Sequence, residues 1–192
     1  GTQERLFFSP ETALGYAEQS GIRGTVARVL SESAERDGER AIILDKGLRD
    51  GIVPGQPVVS ANGVIIGKIN RAKNHAATCL LLTDSRSRLA VAVQNSDETV
   101  GVLQGDRGLA MEVTFIPQST TIAKGDTVIT SGIEPAVRRG LVVGTVQSVR
   151  KNSQDPFQTA TVDPLPSARY PIFVTILDES SSGETIAPID RH

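Results

Sequence analysis

The most regular feature of the chain is a pattern of glycine-marked apolar strands that occurs twice. In the first copy Gly55 leads into an apolar run, the chain reverses, and a second apolar run carries Gly67 near its middle. In the second copy Gly125 and Gly144 hold the same places, about seventy residues later. Glycine inside a strand marks a bulge or a tight bend, as at the corner of a small barrel. The repeat therefore predicts two related β-modules.

Short apolar runs continue along the chain, with Gly, Pro, Asn and Asp between them, which is typical of barrels and sandwiches. Asn62-Gly63 predicts a tight hairpin turn, because both residues tolerate positive φ. Alternation over residues 111–115 places Met111, Val113 and Phe115 on the inward face. The runs predicted as strands are residues 25–31, 40–45, 57–60, 64–70, 78–83, 89–94, 111–115, 127–130, 142–149, 159–162 and 172–177. The glycine-spaced stretch over residues 101–108 is interpreted as hairpin turns rather than as a phosphate-binding loop. No long helical pattern interrupts the strands, so the fold class is all-β.

The ends of the chain differ from its middle. Ser9 as N-cap and Pro10 in the first turn predict a short helix over residues 9–19. The polar stretch after residue 178 predicts a disordered tail. The expected division is a helical remnant at 1–23, a first module at 24–96, a second module at 97–178 and a disordered tail at 179–192. Whether the C-terminal strands return to complete the first module stays open at this point.

Composition narrows the class of protein. Aromatic residues make up 4% of the chain and Trp is absent, so the cores must be aliphatic. The formal net charge of -2 lacks the basic footprint of a nucleic-acid binder. No apolar run approaches the roughly 20 residues of a membrane helix. The single cysteine, Cys79, lies in a continuous apolar run, so we expect it to be buried and unreactive.

The sequence contains few residues that could support catalysis. A Ser-His-Asp arrangement would recruit His75 with Asp84 and either Ser85 or Ser131, but a triad requires mutual contact that spacing alone does not establish. One cysteine and two distant histidines do not provide a zinc site of known spacing. We therefore expect no active site, no metal and no cofactor.

Candidate partner-binding residues lie outside the clearest strand interiors. Phe157 and Tyr170 each stand beside a proline, which holds an aromatic side chain on stiff backbone and lowers the entropy cost of binding. Arg138 and Arg139 form a local basic pair in a loop of the second module. An aromatic that caps the end of a barrel core is the alternative interpretation of both rings.

Five segments resemble one known family. They are residues 43–52, 55–59, 80–88, 125–132 and 140–146, in the expected order. Together they resemble the periplasmic part of the rod-shape-determining MreC family, over residues 24 to 177. The chain departs from the family pattern at residues 133–139, where the family often carries an aromatic residue and prolines. The family's coiled coil and membrane helix have no counterpart here, except for the short predicted helix at 9–19.

The resemblance implies two small six-stranded antiparallel β-barrels packed together and no enzymatic activity. It further implies a scaffold of the cell-wall elongation complex, on the periplasmic side of the bacterial inner membrane and anchored by one N-terminal helix. Family members self-associate and contact the elongation-specific penicillin-binding transpeptidase and the other membrane proteins of the rod complex. The alternatives are a chymotrypsin-like two-barrel hydrolase and a periplasmic glycan-binding module. The position of His75 discriminates the first, and the absence of Trp disfavours the second.

Overall fold

The computed structural model describes residues 23–34, 40–94, 99–106, 110–165 and 172–178, and these residues form β-strands almost throughout. Among these residues a 3₁₀ turn lies at Leu48–Asp50. The strands are β1 (Gly24–Ala34), β2 (Arg40–Leu44), β3 (Pro57–Val59), β4 (Ile65–Ala72), β5 (Ala77–Leu81), β6 (Arg88–Gln94), β7 (Thr99–Asp106), β8 (Ala110–Pro117), β9 (Thr127–Thr130), β10 (Val142–Arg150), β11 (Phe157–Pro164) and β12 (Phe173–Leu177). The predicted helix at 9–19 and the predicted tail at 179–192 lie outside the described residues.

The strands close into two six-stranded antiparallel barrels, which confirms the predicted fold class. The first barrel runs β1-β12-β3-β4-β5-β2 and the second runs β10-β11-β8-β7-β6-β9. When β3 is matched to β9 and β4 to β10, the two circular orders coincide strand for strand. The glycine-marked repeat seen in the sequence is thus the β3-β4 pair of one barrel and the β9-β10 pair of the other.

Strand membership differs from the predicted boundary at residue 96. The strand β6, placed by sequence in the first module, belongs to the second barrel. The strand β12, whose return to the first module the sequence left open, closes the first barrel between β1 and β3, where Gly24 pairs with Leu177 and Val59 with Thr175. Apolar alternation marks a strand but carries no information on its partner, so only the closed sheets reveal this exchange.

The glycines inside strands are required by close backbone contacts. A Cβ at Gly67 would lie 2.3 Å from the carbonyl oxygen of Leu80, and one at Gly144 would lie 2.2 Å from that of Asp163. The prediction of hairpin turns over residues 101–108 was wrong for its first part, because Gly101 lies inside β7. There a Cβ would lie 2.6 Å from a methyl group of Val113 on β8.

Each barrel has an aliphatic core, and the core of the second barrel continues into the first. One buried cluster contains residues of the second barrel together with four residues from the first half of the fold. These are Val59, Ile65 and Leu177 of the first barrel and Leu82 on the connection that leaves it. We call this cluster the seam. Val64 forms a parallel bridge with Val142 across it. Because apolar burial contributes roughly 25 cal/mol per Å², the seam holds the two barrels as one packed unit.

Cys79 lies in the core of the first barrel and is fully buried, as its apolar run predicted. Burial raises the pKa of its thiol well above the ordinary value, because the thiolate would lose its hydration. The thiolate is the reactive form, so its scarcity supports the prediction that Cys79 is unreactive.

Candidate protein-interaction surface

An exposed aromatic pair stands on the outside of the second barrel. The rings of Phe115 on β8 and Phe157 on β11 meet edge to face, with centroids 5.7 Å apart and planes inclined by 76°. Phe115 is 60% exposed and Phe157 is 46% exposed. Of the three aromatic residues in the described part of the chain, two are therefore exposed at the surface. Exposed apolar side chains that contact each other are a candidate protein-binding surface.

The outward position of Phe115 results from a β-bulge. Ile116 pairs with Gln158 and Val113 pairs with Ala160, so two residues of β8 face one residue of β11. Phe115 is the extra residue, and its φ is 61°, the one positive φ of a non-glycine residue among those described. Met111 and Val113 face the core as predicted, but the inward prediction for Phe115 was wrong, because the bulge breaks the alternation before it.

Two glutamines brace the backbone beside the rings. The buried Gln158 donates from Nε2 to the carbonyl oxygens of Pro117 at 2.8 Å and Thr120 at 2.6 Å. Gln118 donates in the other direction, to the carbonyl oxygens of Asn152 at 2.8 Å and Phe157 at 3.3 Å. These bonds tie the turn after β8 to the start of β11 and to the chain before it, so the rings stand on fixed backbone.

The two segments that carry the rings hold little charge, but an ion pair lies beside them: Arg150 on β10, whose partner on β11 is Thr159, contacts Glu112 on β8 at 2.5 Å. Residues 114–121 contain no charged side chain, and residues 152–159 contain only Asp155. That carboxylate accepts a hydrogen bond from the side chain of Asn152 at 2.8 Å. An apolar aromatic pair flanked by an ion pair fits a protein segment that combines an apolar contact with polar groups at its edge.

The second candidate region is the loop between β9 and β10. Arg138 and Arg139 are both exposed, and the loop backbone is fixed by Thr130, whose hydroxyl donates to the carbonyl oxygen of Arg138 at 2.6 Å. Glu134 points the other way: it pairs with Lys68 of the first barrel at 2.6 Å and accepts the N–H of Ala90 at 2.9 Å. The loop that departs from the family pattern therefore bridges the seam. It lies in a different part of the second barrel from the aromatic pair.

Sequence reasoning identified one ring of the pair and missed the other. Phe157 attracted attention because it follows Pro156, whereas Phe115 sits in an alternating run and carries no such signal. The bulge that exposes it arises from the pairing of two distant strands. Tyr170 lies outside the described residues.

The structure does not support the Ser-His-Asp alternative. Asp84 is fully buried, and its carboxylate accepts hydrogen bonds from the backbone N–H of Arg40 at 2.6 Å and of Arg86 at 2.8 Å. The Arg86 side chain completes the set with an ion pair at 3.1 Å. His75 is exposed in the loop between β4 and β5, and the hydroxyl of the buried Ser131 accepts the N–H of Ile133. The carboxylate proposed for a triad is thus bound by arginines.

The described residues show neither a metal-binding cluster nor a membrane-spanning helix. Among them no group of three or more His, Cys, Asp or Glu side chains is arranged to hold a metal ion. Within the same ranges no helix is both long and apolar enough to cross a bilayer.

Comparison with known families gives a match over most of the chain. The family described as rod shape-determining protein MreC, barrel core, matches residues 29–178. The cell shape-determining protein MreC of Haemophilus influenzae is 36% identical over 143 residues, which is 73% of this chain and 39% of that protein. The MreC of Listeria monocytogenes is 31% identical over 147 residues, 74% of this chain and 49% of that protein. The chain therefore spans less than half the length of these relatives.

Solved structures share the fold. The crystal structure of MreC from Pseudomonas aeruginosa superposes with a TM-score of 0.72 at 25% identity and covers 80% of this chain and 99% of that one. The MreC in a complex between the penicillin-binding protein PBP2 and MreC from Helicobacter pylori superposes with a TM-score of 0.65 at 20% identity. It covers 83% of this chain and 99% of that one, and at this identity it shows the fold alone.

Proposed function

The chain belongs to the MreC family of rod shape-determining proteins, and from this premise we propose that it is a scaffold that binds the elongation-specific penicillin-binding transpeptidase through Phe115 and Phe157. Proteins of this family determine cell shape as structural components and are not enzymes. The function to be explained is therefore recognition of a partner.

The observation that carries the proposal is the exposed aromatic pair on rigid backbone. A few buried aromatic anchors supply most of the energy of a protein interface. The two rings already contact each other in the free protein, so little side-chain entropy is lost when a partner covers them. No other exposed apolar side chains among the described residues form an aromatic contact of this kind.

The choice of a transpeptidase is supported by a relative. The Helicobacter pylori neighbour is known as a complex of PBP2 and MreC. For this chain the same class of partner is our proposal, and it agrees with the apolar character of the two rings. A soluble, charged ligand would leave these apolar surfaces exposed.

The remaining parts of the function are also proposals. We place the protein on the periplasmic side of the inner membrane, where it self-associates and meets the other membrane proteins of the rod complex. Arg138 and Arg139 offer a basic surface on the loop that bridges the two barrels, suited to an acidic segment of a further partner. Tyr170 is retained as a candidate contact on the basis of its position in the sequence.

The two alternatives are less well supported. A chymotrypsin-like hydrolase disagrees with the family and with the binding of Asp84 by Arg40 and Arg86. A glycan-binding module would need free polar groups beside the rings to meet sugar hydroxyls. The side chains of Gln118 and Asn152 instead donate hydrogen bonds to the protein itself.

The proposal is tested with the double variant Phe115→Ser, Phe157→Ser. Its dissociation constant for the soluble domain of the elongation transpeptidase from the same organism is measured by biolayer interferometry. We expect binding to weaken at least about tenfold, since anchor residues cost about 1.4 kcal/mol or more when they are lost.

The matched control is Leu30→Ser with Leu48→Ser, which removes two exposed apolar side chains of the first barrel that are 55% and 49% exposed. These changes should leave the affinity within about twofold, as expected for residues outside an interface. If the aromatic double variant stays folded and binds as tightly as the unmodified protein, the rings are not the anchor.

A further inference from the structure

We infer that Gln158 is a positioning residue for the aromatic pair: its carboxamide holds the β-bulge that turns Phe115 outward. The importance of this role for binding rests on the proposed function of the two rings as an anchor. The hold of Gln158 on the bulge is a property of the free protein and depends on contacts within the second barrel.

The contacts of Gln158 are concentrated at the C-terminal side of the bulge. The side chain is 1% exposed and donates to two carbonyl oxygens of one turn, those of Pro117 and Thr120. The carbonyl oxygen of Pro117 also accepts the backbone N–H of Thr120 at 3.1 Å, which closes the turn. Gln158 therefore fixes the segment that follows Phe115.

The register of β8 and β11 shows why this matters. On one side of the bulge Val113 is paired with Ala160, and on the other Ile116 is paired with Gln158. With both ends held, Thr114 and Phe115 must fit opposite the single residue Thr159, and Phe115 takes the positive φ. If the Gln158 end were released, a slip of one residue would turn Phe115 toward the other face of the sheet.

The energetics of Gln158 favour a geometric role over simple stabilisation. Its Oε1 is buried and accepts no hydrogen bond from the described residues. An unsatisfied buried carbonyl oxygen destabilises the folded state, and an aromatic residue at positive φ adds backbone strain. A well-packed apolar residue and a regular strand pair would avoid both costs, but they would not present the two rings together outside the barrel.

The experiment follows the rings directly. The chain contains five phenylalanines, so incorporation of 4-fluorophenylalanine gives a ¹⁹F spectrum in which Phe115 and Phe157 are assigned by single substitution. The test variants are Gln158→Met, which keeps the length but lacks the N–H donors, and Gln158→Asn, which keeps the amide but cannot reach both carbonyls. The control is Gln104→Met, since Gln104 also donates to a backbone oxygen of this chain, that of Ser85 at 3.1 Å.

We expect the resonances of Phe115 and Phe157 to shift together in both Gln158 variants and to remain in place in Gln104→Met. Affinity for the transpeptidase domain should fall about tenfold in parallel, an effect that a purely structural residue would not have in folded protein. Unchanged ring resonances in a folded Gln158 variant would show that Gln158 does not position the pair, whatever the affinity. Shifted resonances with full affinity would show that the ring geometry does not matter for binding.

The proposed function fails separately, through the Phe115→Ser, Phe157→Ser variant described above. In that case the ¹⁹F spectra still decide whether Gln158 holds the pair. If one variant does not fold, the other carries the measurement, because Gln158→Asn and Gln158→Met disturb the packing in different ways.

Discussion

Phe115 combines two unfavourable properties in one residue. Its backbone lies in the left-handed region at φ 61°, and its ring is mostly exposed to solvent. A non-glycine residue there is strained because its Cβ crowds the backbone, and the exposed ring buries little area in return. Strain of this kind clusters at functional sites, where the surrounding structure holds it in place.

The strain at Phe115 is measured by comparing two truncations. We expect Phe115→Gly to be more stable than Phe115→Ala by about 1 kcal/mol, because glycine adopts positive φ without steric cost. Both variants lack the ring, so the comparison isolates the backbone. The measurement is the free energy of unfolding from urea titrations.

The matched control is the same pair of substitutions at Thr159, the residue of β11 that faces the bulge. Positive φ among non-glycine residues is confined to Phe115 in the described ranges, so Thr159 has ordinary strand geometry. There we expect the usual order, with glycine less stable than alanine by roughly 0.5–1 kcal/mol. The same order at Phe115 would contradict the strained backbone.

At the scale of elements, the short connection between β5 and β6 joins the two barrels and is organised by Asp84. Burial alone would raise the pKa of the Asp84 carboxyl. Hydrogen bonds from the Arg86 side chain and from the backbone of Arg40 and Arg86, together with the charge of Arg86, outweigh burial and hold the pKa below its ordinary value. Since Arg40 begins β2, the carboxylate ties the exit of the first barrel to one of its own strands.

This linkage predicts a pH dependence of stability. The pKa of Asp84 is lower in the folded than in the unfolded chain, so the folded state binds fewer protons. The contribution of Asp84 is then fully present above the unfolded pKa of about 3.9 and is lost as the pH falls through the lower folded pKa. We expect Asp84→Asn to reduce the free energy of unfolding at pH 7 by about 1.5–3 kcal/mol, as for hydrogen bonds to a charged group.

The measurement is a series of urea titrations of both proteins between pH 7 and pH 3. The difference between them should shrink as the pH drops below about 4. The control is Asp155→Asn, because Asp155 is exposed and accepts a hydrogen bond from an exposed side chain. A difference for Asp84→Asn that is constant over the whole pH range would contradict the role of the ionised carboxylate.

For the whole molecule, the two barrels are joined in three ways. The seam buries residues of both barrels in one cluster, β12 crosses back to close the first barrel, and β6 leaves the first half to enter the second. Lys68 and Glu134 add a partly exposed ion pair at the rim, worth at most about 1 kcal/mol. The relative orientation of the barrels therefore depends mainly on apolar burial.

This arrangement predicts that neither half of the chain folds alone. A fragment of residues 23–96 lacks β12, and a fragment of residues 97–178 lacks β6, so each leaves a barrel open with two unpaired strand edges. We expect both fragments to give circular dichroism spectra of unfolded chains, and residues 23–178 to unfold in one calorimetric transition. A fragment with a cooperative transition of its own would contradict the shared closure.

The local pattern determined the fold class and much of the strand content. The Gly55 and Gly125 units predicted a doubled β-architecture, because the position of a glycine and a run of β-branched residues are both visible within one strand. The burial of Cys79 followed from the same kind of local signal. Phe157 could be proposed as a contact because its neighbour Pro156 is visible in the sequence.

The tertiary structure alone decided what depends on pairing between distant strands. The return of β12, the entry of β6 into the second barrel and the bulge at Phe115 all follow from which strands meet and in which register. Alternation along one strand does not encode its partner, and one extra residue in a pair reverses the side that a ring faces. The candidate site is formed by residues of β8 and β11, which are far apart in the chain. Its second ring, Phe115, could therefore be identified only from the closed barrel.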